Sequence, residues 1–276
     1  FVGPGASSSL PAFTFHSTAR AGALKNITLL RLDIESFATG VSCGWSIPCE
    51  ECAIVDCTFK DIGGTNGNGI YFGGVRCAII GNKVDGLINS GEHCLRIWNA
   101  RRCVISNNTF HNPAASKHAI KFHNEESLAL TPPEFNIVFA NDLKGDVLTF
   151  EYAPQNTTKN EPLRDIIIES NYFRPKAAVT QKHLSVSGVN ATVRNNLFVM
   201  DGAADNLIGM SAGRGGVEPA TTDLRIFNNT FVRSDGDLGA EFVGIVLKPL
   251  STLRVTLRNN CGKWEHSTST GIRGII

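Results

Sequence analysis

One short pattern recurs along the chain and constrains the fold more than any other feature. It consists of apolar residues, then an asparagine, then an apolar residue two positions further on. The copies read AIVDCTF, AIIGNKV, VISNNTF, IVFANDL, IIIESNYF, TVRNNLF, RIFNNTF and TLRNNC. Successive copies lie 25 to 33 residues apart. Self-similarity at such a period is typical of solenoids, in which each repeat stacks on the next.

Alignment of the copies produces three columns of equivalent residues. The turn column contains Cys57, Asn82, Asn108, Asn141, Asn171, Asn196, Asn229 and Asn260. The apolar column two residues later contains Phe59, Val84, Phe110, Leu143, Phe173, Phe198 and Phe231. The column before the turn contains Ile54, Ile79, Ile105, Val138, Ile168, Val193 and Ile226. Because paired strands lie about 4.8 Å apart, identical side chains of stacked coils meet. We therefore predict an asparagine ladder above an apolar interior.

The asparagine turn with its aromatic partner resembles the right-handed parallel β-helix of the pectate-lyase-like superfamily. The resemblance covers roughly residues 25–262, and the handedness is part of what it implies. We expect an all-β, single-domain solenoid of about eight to nine coils. Residues 1–24 are expected to form a lead-in or incomplete cap, and residues 263–276 a tail.

The cysteines are expected to be buried thiols. Eight cysteines are too few for a disulfide scaffold in a chain of 276 residues. Cys52, Cys77 and Cys103 align two residues before the inward isoleucine column. Free cysteine behaves as a small hydrophobic residue, so these three are predicted to form an inward ladder.

The composition excludes several classes of protein. A net charge of +1 implies no global attraction to nucleic acid. No apolar run reaches the length of a transmembrane helix, so no membrane insertion is expected. The opening FVGPGASSSLPAF has no signal peptide, and we interpret it as a processed or truncated start. From the resemblance, we expect a secreted or periplasmic, extracellular protein.

A second strand in each repeat carries the candidate site. The segments CLRIWN, AIKFHN and VLTFEY are aligned by their apolar residues, and alternation turns the residues between them outward. The predicted outward column reads Tyr71, Arg96, Lys121, Thr149 and Ser185, and its neighbour reads Trp98, His123 and Glu151. At the start of the strand His93 aligns with His118, and Glu92 aligns with Lys117.

This arrangement predicts a cationic patch on one sheet. Like charges on adjacent strands repel, so stacking Arg96 beside Lys121 is best explained by an anion bound between them. Tyr71 and Trp98 are predicted to be exposed and to stack on sugar rings. A polymer with acidic sugars is the expected partner, and no nucleic-acid partner is expected.

Lyases of the resembled superfamily cleave uronic acid chains by β-elimination, and the patch has the groups that this reaction needs. We expect Lys121 or His118 to be the base that removes the C5 proton and Arg96 to neutralise the carboxylate. His93, His123, Glu151 and Lys117 are expected to bind substrate, with Trp98 and Tyr71 as stacking subsites. Many such lyases use Ca²⁺, and here Glu92, with Glu151 and Asp146, is the available ligand set.

The sequence is also compatible with three other functions. A C5-epimerase would share the proton abstraction. A glycan-binding β-helix of the tailspike or adhesin type, or a plain structural solenoid, would share the ladder without any catalysis.

Overall fold

The structure is a computed structural model, and it consists of parallel strands joined by turns. It describes residues 1–5, 9–15, 22–44, 47–64, 67–88, 91–123, 132–146, 148–153, 163–175, 182–199, 207–212, 221–233, 242–247 and 252–264. The strands in chain order are β1 (Pro11–Phe15), β2 (Thr28–Leu30), β3 (Asp33–Glu35), β4 (Thr39–Cys43), β5 (Cys49–Glu50), β6 (Ala53–Val55), β7 (Thr58–Lys60), β8 (Ile70–Phe72), β9 (Gly74–Val75), β10 (Ala78–Ile80), β11 (Lys83–Asp85), β12 (Leu95–Trp98), β13 (Val104–Ser106), β14 (Thr109–His111), β15 (Ile120–His123), β16 (Asn136–Phe139), β17 (Asp142–Gly145), β18 (Leu148–Tyr152), β19 (Leu163–Arg164), β20 (Ile166–Glu169), β21 (Tyr172–Pro175), β22 (Lys182–Val186), β23 (Gly188–Val189), β24 (Thr192–Arg194), β25 (Leu197–Val199), β26 (Leu207–Ala212), β27 (Thr221–Phe227), β28 (Thr230–Arg233), β29 (Phe242–Leu247), β30 (Thr252–Arg258) and β31 (Cys261–Trp264).

These strands form three long parallel sheets that wrap around one interior, and the predicted right-handed parallel β-helix is confirmed. Sheet I has eleven strands: β2, β6, β10, β13, β16, β19, β20, β23, β24, β27 and β30. Sheet II has nine: β3, β7, β11, β14, β17, β21, β25, β28 and β31. Sheet III has nine: β1, β4, β8, β12, β15, β18, β22, β26 and β29. β5 and β9 pair separately. Among the described residues, no helix is long and apolar enough to cross a membrane.

The predicted asparagine ladder is present between sheets I and II. At Asn108 the backbone N–H and the side-chain Nδ2 both donate to Oδ1 of Asn141, at 3.0 and 2.9 Å. Nδ2 also donates to the carbonyl of Ile79 in the preceding coil, at 2.9 Å. The same pattern repeats from Asn82 to Asn229. The ladder therefore satisfies buried backbone groups at the corner where the chain changes sheet.

The residue before each ladder position has a left-handed backbone, which the sequence patterns did not indicate. The φ values run from 51° to 70° for Asp56, Gly81, Asn107, Ala140, Ser170, Asn195, Asn228 and Asn259, and for Arg31 one coil before the ladder begins. Glycine occupies the position only once, although non-glycine residues pay a steric penalty there. Asparagine or aspartate, which tolerate this backbone, occupies five of the nine positions, so stacking overrides local preference at Arg31, Ala140 and Ser170.

The interior contains the columns that were predicted. All seven residues of the column before the turn are buried, and so are Cys52, Cys77 and Cys103. The Phe198 ring stacks between Phe173 and Phe231, with centroids 4.5 and 4.8 Å apart and planes nearly parallel. The inward cysteine ladder is confirmed.

The predicted register of sheet III is wrong at β18. Lys121 pairs with Glu151 and Phe122 with Tyr152, so the strand is displaced by two residues from the predicted alignment. Tyr152 takes an inward position because its buried hydroxyl donates to the carbonyl of Arg164 at 2.9 Å, which satisfies the polar end of the ring. Thr149, predicted to lie beside Lys121, is instead buried with its Oγ1 3.1 Å from Nδ1 of His183.

Candidate functional site

The middle of sheet III brings together seven charged or titratable side chains, which we call the Lys121 cluster. Its members are Glu92, His93, Arg96, Lys117, His118, Lys121 and Glu151. Pairing of β12 with β15 puts Arg96 opposite Lys121, and pairing of β15 with β18 puts Lys121 opposite Glu151. Residues 25 to 30 positions apart therefore become neighbours on one surface.

Glu151 forms one side of the cluster. Its Oε2 lies 3.2 Å from Nζ of Lys121 and 3.6 Å from Nε2 of His118. All three side chains are largely shielded, with exposed fractions of 12% to 20%. Because of the register of β18, a carboxylate stands where sequence alignment had placed a threonine. The stacked cations Arg96 and Lys121 are thus followed by the carboxylate of Glu151 on the next strand.

Glu92 forms the other side. Its Oε1 accepts a hydrogen bond from Nζ of Lys117 at 2.7 Å, and its Oε2 lies 3.3 Å from Nε2 of His93. Nη1 of Arg96 is 3.9 Å from the same Oε2. The predicted alignment of Glu92 with Lys117 is confirmed as a contact. Both glutamates are therefore engaged by cationic side chains.

The two histidines contact each other, and the contact indicates which ring nitrogens carry the protons. The backbone N–H of His118 donates to Nδ1 of His93 at 2.9 Å, so that nitrogen carries a lone pair. Nδ1 of His118 lies 3.1 Å from the same atom, a favourable distance when His118 Nδ1 carries a proton. Neutral His118 then has its lone pair on Nε2. This nitrogen faces Glu151 beyond hydrogen-bonding distance.

Both histidines are neutral near pH 7. Burial lowers the pKa of His93 well below its ordinary value, and the nearby charges of His118 and Lys121 act in the same direction. Burial also lowers the pKa of His118 to about 4; Glu151 opposes this shift and Lys121 adds to it. The cluster therefore offers an uncharged imidazole, whose free ring nitrogen can accept a proton, beside two cations.

The predicted exposure of the two aromatic residues is wrong. Tyr71 and Trp98 are only 5% and 1% exposed, and their ring centroids lie 5.2 Å apart. The guanidinium of Arg96 lies 5.7 Å from the Tyr71 ring centroid. The rings support the cluster from one side and present no stacking surface for a sugar. Strand alternation predicted their direction but not what covers them.

Two further predicted residues have different outcomes. His123 pairs with Trp98 in the register of β15, as expected, but its side chain lies outside the described part of the structure. Asp146 is 6% exposed and accepts a hydrogen bond from the backbone N–H of Ser116.

The described residues give calcium little support. No group of three or more His, Cys, Asp or Glu side chains among them is arranged to hold a metal ion. The oxygens of Glu92 and Glu151 already face ammonium, guanidinium or imidazole groups. Calcium remains a prediction from the resemblance, and no chemical step is derived through it.

Comparison with known proteins identifies the fold but no family. No protein-family profile matches the chain, and neither does any curated protein sequence. The DFA-IIIase of Arthrobacter chlorophenolicus A6 in complex with DFA-III is similar in structure, with a TM-score of 0.56 and 11% identity over 93% of this chain and 69% of that one. The tailspike protein of E. coli bacteriophage HK620, as a double mutant, has a TM-score of 0.54 and 12% identity over 95% and 50%.

A third similar structure is the GH136 lacto-N-biosidase of Eubacterium ramulus, with a TM-score of 0.51 and 12% identity over 91% of this chain and 45% of that one. This chain thus spans about half the length of the biosidase and the tailspike protein. At these identities the likeness shows a shared parallel β-helix.

The sequence patterns missed two features of the cluster. The Glu151–Lys121 pair was missed because Tyr152 was not recognised as an inward residue. The imidazole contact was missed because alignment places His93 and His118 side by side without giving ring orientation. The spacing of 25 residues between them was the available signal.

Proposed function

We propose that the protein is a carbohydrate-active enzyme that cleaves a uronic-acid-containing, anionic polysaccharide by β-elimination. The observation that carries the proposal is the neutral His118, with its Nε2 lone pair beside Lys121. His118 removes the C5 proton, the electron pair forms the C4–C5 double bond, and the C4–O bond breaks. Solvent water then protonates the departing oxygen, and His118 releases its proton to solvent.

The cations lower the barrier of the first step. A uronate carboxylate bound by Arg96 and Lys121 acidifies the C5 proton, because both cations stabilise the negative charge that develops on its removal. Each cation already has a carboxylate neighbour, so the substrate shares them with Glu92 and Glu151. Nζ of Lys121 lies 3.2 Å from Oε2 of Glu151, so we assign Lys121 to carboxylate binding and the role of base to His118.

The similar structures support the choice of a glycan as substrate. Among them, the tailspike protein was determined in complex with a pentasaccharide, and the DFA-IIIase with DFA-III. The acidity of the polymer is our inference from Arg96, Lys117 and Lys121. Location outside the cytoplasm, where such polymers are met, belongs to the same proposal.

The test is incubation with pectate, alginate, hyaluronan and chondroitin sulfate, with and without Ca²⁺. The ultraviolet absorbance of an unsaturated uronate is followed in parallel with the number of reducing ends. We expect both signals to rise together on one polymer. His118→Ala should lower turnover by about a hundredfold or more, whereas Lys83→Ala, a matched change on the exposed surface of sheet II, should not.

A second candidate is glycoside hydrolysis, favoured by one observation. Glu92 and Glu151 lie on opposite sides of the His118 coil, two coil spacings or roughly 10 Å apart at the backbone. Paired carboxylates are what hydrolysis requires. New reducing ends without an ultraviolet signal would replace elimination with hydrolysis. Binding without either signal would indicate a glycan-binding domain.

A further inference from the structure

Four buried cysteines lie together where the chain leaves sheet III near β4 and β5. They are Cys43, Cys49, Cys77 and Cys103, all 3% exposed or less. Cys43 ends β4 and Cys49 begins β5, so five residues of corner separate them. All are free thiols in the structure.

The sulfur atoms of Cys43 and Cys49 lie next to each other. The two Sγ atoms are 2.9 Å apart, against about 2.05 Å in a disulfide bond. The thiols of Cys49, Cys77 and Cys103 each also lie 3.3 Å from a backbone carbonyl oxygen, of Gly73, Val75 and Gly74 respectively. The spacing of Cys43 and Cys49 leaves a displacement of less than 1 Å between thiol pair and covalent bond.

The backbone at Gly44 and at Cys49, on the two sides of this corner, contacts the next coil. Gly44 has a φ of 75°, and a Cβ at this position would lie 2.0 Å from the carbonyl oxygen of Gly73. The backbone N–H of Cys49 donates to the same carbonyl at 3.0 Å. Since the backbone on both sides is fixed, the two thiols stay close together while the coil is folded.

We propose that Cys43 and Cys49 form an intramolecular disulfide that locks the corner between β4 and β5. The oxidant is a disulfide compound, such as oxidised glutathione. The Cys43 thiolate attacks it, forms a mixed disulfide and releases one thiol. The Cys49 thiolate then attacks Sγ of Cys43 and releases the second. The cysteines lose two electrons and two protons, and the oxidant is reduced to two thiols.

Burial controls the rate of this reaction. Hydrogen bonds with Cys43 and Cys77, together with burial, raise the pKa of Cys49, so its reactive thiolate forms when the corner opens. The bond consequently forms slowly in the folded chain and, once formed, resists reduction. A metal site on the four thiols is disfavoured, since no described group of three is arranged to hold an ion.

The experiment uses the whole chain equilibrated in oxidised and reduced glutathione, followed by acid quenching, unfolding and alkylation. A protease that cleaves after glutamate releases residues 36–50, which contain Cys43 and Cys49 and no other cysteine. We expect this peptide to lack alkyl groups and to be lighter by two hydrogens after oxidation. Cys77→Ser, a control at a neighbouring buried thiol, should give the same peptide.

A second readout measures the lock itself. Hydrogen exchange of the amides in β4 and β5 should slow by about tenfold on oxidation, and Cys49→Ser should abolish the change. The proposal is overturned if oxidised peptide 36–50 carries two alkyl groups, or if Cys49 is recovered joined to Cys77 or Cys52.

Discussion

At the scale of single residues, three buried histidines make the stability of the folded chain depend on pH. Burial lowers the pKa of His93 well below its ordinary value and the pKa values of His118 and His183 to about 4. The unfolded chain binds these protons near pH 6.5, before the folded chain does. Stability is therefore complete above pH 6.5 and is lost as the pH falls toward 4.

His183 provides the cleanest test of this coupling. It is fully buried, with Nε2 2.7 Å from the carbonyl of Val199, and protonating it in the folded chain costs on the order of 3 kcal/mol. We expect His183→Gln to flatten the dependence of unfolding free energy on pH between 6.5 and 4. Urea denaturation across this range measures it. An unchanged slope would contradict the assignment.

Ala140 carries a left-handed backbone with a φ of 55° and no side chain that favours it. Glycine removes the steric penalty at some cost in unfolded-chain entropy, so Ala140→Gly should stabilise the protein by about 0.5–1 kcal/mol. Asn107→Gly, one coil earlier in the same column, is the control. Because asparagine tolerates this conformation, its replacement should change the urea midpoint less.

At the scale of elements, the ladder is a continuous chain of hydrogen bonds and its members depend on one another. Oδ1 of Asn171 accepts from both the backbone N–H and Nδ2 of Asn141, and its Nδ2 donates to Val138 and Asn196. Removal of one amide therefore leaves several buried groups without partners.

We expect Asn171→Ala to lower the free energy of unfolding by about 3–5 kcal/mol. Asn260→Ala should cost less, about 1–2 kcal/mol, because Asn260 is only partly buried. Thermal and urea unfolding of both variants measure the difference. Equal losses would mean that the ladder amides act independently of burial and of their place in the chain.

The sequence predicted these elements better than it predicted the surface that they carry. The columns through Asn108 and Phe198 were predictable because stacking repeats one chemical requirement in every coil. The position of Glu151 was not predictable. It follows from the inward position of Tyr152, whose hydroxyl needs the carbonyl of Arg164 on another strand. The burial of Trp98 was not, because outward direction says nothing about what lies above the sheet.

At the scale of the whole molecule, local stability is expected to decrease from the central coils toward the terminal coils. Each coil contacts the coils before and after it, so terminal coils have fewer stabilising neighbours. We expect amides of β13, β16 and β20 to exchange with solvent at least about a hundredfold more slowly than those of β2 and β30. Hydrogen exchange with mass spectrometry tests this. Uniform protection would instead indicate a single all-or-none unit.

The number of residues between successive ladder asparagines varies, whereas the hydrogen-bond distances between them do not. Asparagine partners are bonded at 2.9–3.1 Å whether 25 or 33 residues separate them. A coil can therefore gain eight residues, the difference between 33 and 25, at little more than the entropy of closing a longer loop. The loops of such a molecule can be shortened or lengthened while the ladder and the interior keep their geometry. A new binding specificity can therefore arise from changes in these loops without changes in the interior.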